Sequence, residues 1–382
     1  MSKSNETTPN VPTLRFREFT DSWTLIPIKK MLRFQNGINA DSTKYGKGIK
    51  YISVSDILNN QYITYDCIKG LIDIDEKTFN KFIVEYGDIL FQRSSETFED
   101  IGRANVYLDK EHSATFGGFV IRGKKISDYN PLFFRYLLCT HNARKQTVRM
   151  GAGAQHYNIG QEGLEKICLY FPCIQEQQKI SDLLSAIDNK ISVQNKIISK
   201  YETLIKGLCD KIFRHDKSVC LFDLVKCKAS TLQENEVATY YNGKYNVFGA
   251  SGIIASINKY QFEEDGILVL KDGSKAGKIQ YAGGKYSVVG TSVVLIPNNA
   301  GDARYLYFAM QSIDFDKYKV GSGIPHIYFK DYSCERIYYP NSALRIRIAK
   351  VLDAYEKKVE IEKELLSALQ KQKAFLLQSM FI

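Results

Sequence analysis

PCIQEQQKISDLLSAIDNKISVQNKIISKYETLIKGLCDKIF, from Pro172 to Phe213, is the stretch on which the fold turns. Ile180, Leu184, Ile187, Ile191, Gln194, Ile198, Tyr201, Ile205, Leu208 and Ile212 step by four and three in strict alternation, with Gln194 the single polar member. That is a heptad seam held over four repeats. It predicts a helix from Gln175 to Phe213, about 58 Å long at 1.5 Å per residue.

The same plan returns 168 residues later, where Pro340 opens PNSALRIRIAKVLDAYEKKVEIEKELLSALQKQKAFLLQSMF. Ile180 falls on Ile348, Leu184 on Leu352, Ala186 on Ala354, Lys190 on Lys358 and Phe213 on Phe381. The second seam reads Ile348, Leu352, Tyr355, Val359, Glu362, Leu366, Leu369, Lys373, Leu376 and Met380, again with a polar residue at its centre and another at Lys373. Upstream, Gly151-Ala-Gly-Ala-Gln-His156 lies over Gly321-Ser-Gly-Ile-Pro-His326 at an offset of 170, a two-residue length difference. The period is too long for a solenoid repeat, so it implies two globular units, each followed by its own helix. An apolar seam cannot face water, and the nearest partner for each helix is the other copy. The expected architecture is therefore α+β: two similar mixed α/β domains joined by two long helices packed as an antiparallel coiled coil with pseudo-two-fold symmetry. Such packing brings Gln194 beside Glu362, where a buried polar pair would fix register; a solvent-facing gap in an imperfect seam reads equally well. The segments are 1–174, 175–215, 216–341 and 342–382.

Each globular half mixes short strand-like runs with turns. The first carries Tyr51-Ile-Ser-Val, Tyr86–Arg93 and Thr115–Arg122; the second carries Asp265–Lys271 and Tyr286–Ile296. These runs are β-branched or aromatic and bounded by Gly, Asp and Asn. A helix-like segment recurs at Pro131–Leu138 and Arg304–Met310.

Bulk properties bound the function. The 382 residues suit two or three domains. No apolar run reaches the length of a membrane span, and MSKSNETTPN lacks the apolar core of a signal peptide. Eight cysteines without a Cys-x-x-Cys pair and five unclustered histidines argue against a disulfide framework or zinc site. A cytoplasmic protein is expected. The net charge of +10 is spread along the chain, so it supports a nucleic-acid partner no better than it supports a basic surface.

The chain resembles the specificity subunit of type I restriction-modification systems. The residues that carry the resemblance are Val11-Pro-Thr-Leu-Arg-Phe-Arg-Glu-Phe19 followed by Trp23, Tyr86-Gly-Asp-Ile-Leu90, Gly151–Asn158, and above all Pro172-Cys-Ile-Gln-Glu-Gln-Gln-Lys-Ile180. It covers essentially the whole chain. The second half departs at Pro340–Ile348, which lacks the Glu-Gln pair, and at Asp265-Gly-Ile-Leu, which replaces Gly-Asp-Ile-Leu. The resemblance implies that each globular unit is a target recognition domain reading one half of a bipartite, asymmetric double-stranded DNA target. The helices would set the spacing and dock two methyltransferase subunits and restriction/translocase subunits. S-adenosylmethionine and ATP with magnesium would belong to those partners, and this chain would hold no cofactor and no membrane contact. The alternative is a free-standing two-headed DNA-binding or regulatory protein. Removing four helical residues would shorten the spacer by about 6 Å, near two base-pair steps of roughly 3.4 Å.

The residues themselves offer no catalytic constellation. There is neither a phosphate-binding Gly-x-x-x-x-Gly-Lys-[Ser/Thr] loop nor a Gly-x-Gly-x-x-Gly fingerprint. Asn130-Pro-Leu-Phe133 echoes an amino-methyltransferase motif but reads better as a proline at a helix start. The chain is expected not to be an enzyme. Candidate DNA contacts in the first half are Arg144, Lys145 and Arg149 before the glycine loop and Gln155, His156, Tyr157 and Asn158 after it. Basic side chains position phosphates, and Gln, Asn and Arg distinguish base edges. Arg93 and Arg103 flank a second loop, where solvated loop charges would explain them as well. In the second half the counterparts are Lys271, Ser274, Lys275 and Lys278, then Lys317, Lys319, Ser322 and His326.

Overall fold

The computed structural model describes residues 10–153, 156–214, 218–237, 243–321 and 323–382. Two compact units divide the chain: Met1–Val193 with Leu366–Ile382, and Gln194–Leu365. The four segments read from the sequence follow chain order. Packing instead gives each globular half its adjoining lengths of both long helices.

In the first unit a four-stranded antiparallel sheet has the order Leu32–Asn36, Val120–Lys125, Ile89–Gln92, Ala104–Val106. Side chains alternate across a strand, and here both faces are covered. Ile89, Phe91 and Ile121 enter one core with Trp23, Phe133 and Phe134, while Leu90 and Val120 enter a second with Ile52, Ile63 and Phe116. That double burial is why the strand reads as an unbroken apolar run. A three-stranded sheet adds Leu71–Ile72, Tyr45–Ile52 and Thr115–Phe116, the last pair parallel.

The second unit repeats this topology. Its four strands run Val225–Ala229, Ser292–Pro297, Gly266–Leu270, Ile279–Ala282; its three run Gly252–Ile257, Tyr245–Gly249, Tyr286–Val288, again with the last pair parallel. Ile267 and Val269 face one core, Leu268 and Val294 the other. The helix-like segments form Pro131–Cys139 and Ala303–Met310.

Thr115–Arg122 and Tyr286–Ile296 each look like a single strand, yet each splits between the two sheets of its unit. In the first unit the change of sheet falls at Gly117–Phe119. There the backbones come so close that a Cβ on Gly37 would stand 2.0 Å from the Gly117 carbonyl oxygen. Composition cannot reveal that approach, because both pieces are equally rich in strand formers.

The long helices span Ile174–Phe213 and Ser342–Ser379. Every seam position named above is buried or half-buried. Within the second unit the two helix lengths run antiparallel: Gln194 meets Glu362, and seven residues further on Tyr201 meets Tyr355, ring centroids 6.3 Å apart. Gln194 and Glu362 are only 5% and 8% exposed, so the pair is not a solvent-facing gap. The Gln194 amide donates to the Glu362 backbone carbonyl at 3.0 Å and to its carboxylate. Within the first unit Ile180, Leu184 and Ile187 share a core with Leu376, Met380 and Phe381. The polar seam residue Lys373 is answered there by buried Asp188 at 2.5 Å, which also accepts from the Tyr136 hydroxyl at 2.7 Å.

Both helices are anchored at their starts by the same device in different chemistry. Gln177 donates to the Pro172 carbonyl at 3.0 Å and accepts from the Asn130 backbone N–H at 3.0 Å. Its counterpart 168 residues on, Arg345, donates to the Pro340 carbonyl at 2.5 Å and grips Asp302 at 2.9 and 3.1 Å. The Glu-Gln pair missing from the second half is thus replaced, in part, by an ion pair. Glu176 is wholly buried, and Arg15 forks onto both its oxygens at 2.7 Å.

Candidate nucleic-acid interface

In the first unit the strand Ile89–Gln92 ends in Arg93, and the chain then forms a two-residue ladder, Ser94–Ser95 against Tyr157–Asn158. Ala152 pairs with Asn158 through two backbone hydrogen bonds of 2.9 and 2.8 Å, and the Ile159 amide donates to the Arg93 carbonyl at 3.0 Å. Hence the two loops singled out in the sequence, 93–103 and 144–158, are brought together. The Ser94 hydroxyl donates to the Asn158 side-chain oxygen, and Phe98 stacks edge-on to Tyr157 at 5.2 Å.

The second unit makes the corresponding junction. Asp272 bridges His326, and His326 bridges Val320. The His326 Nδ1 sits 2.8 Å from the Asp272 carboxylate, and the Gly273 amide donates to the Pro325 carbonyl at 2.9 Å. By backbone pairing, Ala152 corresponds to Val320 and Asn158 to His326, an offset of 168 that continues into the helices. The offset of 170 read from Gly and His letters, which set His156 on His326, is corrected: backbone pairing, not the glycines, fixes the loop's frame. The side-chain pair Ser94–Asn158 in one unit is Asp272–His326 in the other.

The sequence-selected residues then divide by surroundings. Lys145 and Arg149 are exposed on the helix His141–Arg149; Lys275 and Lys278 are exposed on the turn after Gly266–Leu270. Among the described residues these four cations have no ion-pair partner. Ser274 and His156 are exposed as well, and Tyr157 is half-buried. Lys271 lies 3.9 Å from Asp272, Lys319 pairs with Asp316 at 2.6 Å, and Lys317 pairs with Glu335. Arg93 reaches the Gly118 carbonyl at 3.4 Å, and Arg103 pairs with Asp100 at 2.6 Å. Arg144 is turned inward and holds the 93–103 loop through the carbonyls of Glu99 and Ile101 at 2.8 and 2.7 Å. Burial first, and Arg103 second, hold its guanidinium below the usual arginine pKa. Gln155 and Ser322 lie outside the described residues. Asn130 caps the helix Pro131–Cys139, accepting from the Phe133 amide at 2.8 Å, which is the helix-start reading of that motif.

Sequence reasoning missed an aromatic cleft of about 520 Å³ beside this junction, lined by Tyr45, Tyr51, Ser94 and Phe119. Phe119 is 69% exposed. The only signal was a lone phenylalanine after two glycines. Among the described residues no group of three His, Cys, Asp or Glu is placed to hold a metal ion, and no helix is long and apolar enough to cross a membrane.

Comparison with known proteins agrees with the duplicated plan. The family profile of the Type I restriction modification DNA specificity domain matches twice, over residues 23–203 and 217–371. The fold is similar to that of a type I restriction-modification S subunit from M. genitalium, at TM-score 0.68 and 17% identity, over 97% of this chain and 99% of that one. A second structure, from work on complex assembly and conformational transition of the type I R-M system, matches at TM-score 0.55 and 12% identity, over 94% and 97%. With both halves matched by the profile, the chain belongs to the type I restriction-modification DNA specificity family.

Proposed function

We propose that the chain reads a bipartite, asymmetric DNA target, one half-site per unit. It would dock methyltransferase and restriction subunits that bring S-adenosylmethionine and ATP with magnesium, in a cytoplasmic complex. The observation that carries this reading is the duplicated junction with altered chemistry. One scaffold presents Ser94 and Asn158 in the first unit, and Asp272 and His326 in the second. Base edges differ in their donors and acceptors, so equal scaffolds with unequal hydrogen-bonding groups suit two unlike half-sites. The cations Lys145, Arg149, Lys275 and Lys278, which have no ion-pair partner among the described residues, suit phosphates, which set position rather than sequence. The chain itself would recognise DNA and leave the chemistry to its partners, with helix length setting the gap.

Co-expression with a matching methyltransferase subunit in a methylation-free host, followed by genome-wide mapping of methylated adenine, tests this. The expected motif is split, with two defined half-sites around a fixed gap. A single contiguous motif, or no methylation from a co-purifying complex, overturns it. Strong specific DNA binding by the chain alone would favour the free-standing regulator.

A further inference from the structure

The first unit holds a second cavity, of about 310 Å³, with three arginines among its lining residues. Arg103 comes from the end of the 93–103 loop, Arg135 from the helix Pro131–Cys139, and Arg144 from the helix His141–Arg149. Ile57 and Leu138 supply apolar wall between them. This cavity is separate from the junction of Ser94 with Asn158, and Arg135 is not among the candidate DNA contacts.

Counter-charge there is short. Asp100, paired with Arg103 at 2.6 Å, is the one carboxylate that bonds any of the three among the described residues. Arg135 donates from Nε to the Asn105 side-chain oxygen at 3.1 Å and its guanidinium lies 5.4 Å from the centre of the Tyr136 ring, while its terminal nitrogens have no hydrogen-bond or ion-pair partner among the described residues. Arg144 commits Nη2 to two carbonyls and leaves Nη1 free in the same sense. The mutual cost is visible in Arg144, which Arg103 pushes to lower pKa in addition to burial. Arg103 is exposed, but Arg135 and Arg144 are half-buried, and half-buried guanidiniums with spare donors are costly unless an acceptor completes them. Their planar forks match oxyanions.

We propose that this cavity is an oxyanion site that takes a phosphate group, with Arg135 and Arg144 forking onto its oxygens and Arg103 closing the rim. A carboxylate offers these side chains two oxygens in one plane, whereas a phosphate group presents four oxygens tetrahedrally, all of them terminal in inorganic phosphate, three in a monoester and two in a diester. The volume equals that of roughly ten waters at about 30 Å³ each, enough for the phosphate and part of an ester. Because Arg144 also holds the Glu99 and Ile101 carbonyls, an occupied cavity stiffens the 93–103 loop.

The test is a titration of the full chain with inorganic phosphate at low ionic strength, followed by phosphorus NMR and calorimetry. Wild type is expected to bind saturably in the millimolar range. Arg135→Gln should bind at least tenfold more weakly, Arg135→Lys in between, and Arg33→Gln, the same charge change at an exposed position away from the cavity, like wild type. Failure of wild type to saturate, or equal binding by wild type and Arg135→Gln, overturns the site. If Arg135→Gln does not fold, the comparison of Arg135→Lys and Arg103→Gln with wild type decides in the same way. The source of the phosphate is read on the methyltransferase complex. A DNA phosphodiester in the cavity predicts that Arg135→Gln lowers the slope of log K against log salt by about 0.9. An unchanged slope with lost phosphate binding assigns the site to a free phosphate ester. The titration needs no methylation, so its failure is separable from failure of the specificity reading, which the wild-type methylation map reports.

Discussion

Replacing Arg15 by alanine strands a carboxylate. The Glu176 side chain is 0% exposed and Arg15 13%, and both of its contacts with the guanidinium are 2.7 Å. Hydrogen bonding to Glu176 is the main reason the Arg15 pKa is raised. Removing one partner of a buried ion pair costs about 3–5 kcal/mol, because the other charge stays buried and uncompensated. For a unit of this size each kcal/mol moves Tm by about 2–4 °C, so Arg15→Ala should lower the melting transition of the first unit by about 6–20 °C in scanning calorimetry. Arg15→Met with Glu176→Leu leaves no charge and nearly the same volume, and should recover more than half of that loss. A drop below about 2 °C for Arg15→Ala, or a double variant less stable than the single, would refute the reasoning. Either result would mean that the Arg-Glu pairing of the two motifs does not hold the N-terminal arm against the first long helix.

Three further outcomes are expected. Arg345→Gln leaves Asp302, 2% exposed, with the Tyr339 hydroxyl as its remaining side-chain partner, and should cost about 3 kcal/mol in urea unfolding. Adding Asp302→Asn removes the stranded charge and should restore most of it; no recovery would show that the loss does not come from an uncompensated Asp302 carboxylate. Glu362 is held below the usual carboxylate pKa by Lys358 first and Gln194 second. Its folded pKa therefore lies under its unfolded one, and the stability it contributes is present above the unfolded value, about pH 4.3, and lost as pH falls through the folded value. The urea midpoints of wild type and Glu362→Gln should thus differ at pH 7 and converge as pH falls below the unfolded value and through the folded one; a gap independent of pH would show that the charge is irrelevant. Asn158→Ala and His326→Ala should each relax one half-site of the methylated motif, by about 1–3 kcal/mol of discrimination per base. If both half-sites changed together in either variant, the junctions would not be reading independently.

The two long helices were the most legible part of the chain, because a heptad seam reports burial directly and every seam position is at least half-buried. Gln194 and Glu362 could be paired from helix register alone. The strands were legible as apolar runs, but not the change of sheet at Gly117–Phe119, which a backbone approach dictates. Matching glycines and histidines by letter misplaced the second glycine loop by two residues, since hydrogen-bonded pairing, not residue identity, sets that frame. The Arg345–Asp302 anchor was hidden because it does the work of Gln177 and Asn130 with charged groups. Arg135 drew no notice inside the apolar run Pro131–Leu138, where one arginine looks like a helix's solvated edge. Arg144 was selected for its charge, yet one of its terminal nitrogens is spent on the backbone of its own loop.

The first unit is not continuous in the chain, and that imposes an order of events during synthesis. Its core includes Trp23 and Phe133, which pack against Phe381 at ring distances of 6.2 and 5.4 Å. Translation at about 5–20 residues per second makes the residues up to Val193 first. It reaches Leu366 roughly 9–35 s later at that rate, after the whole of the second unit has been made. For that interval the nascent chain carries the apolar faces of Ile180, Leu184 and Ile187 without the helical turns that cover them. The half made first is therefore the half completed last. A nonsense or frameshift lesion near Leu366 would spare the second unit and leave the first, fully synthesised up to Val193, with an open core.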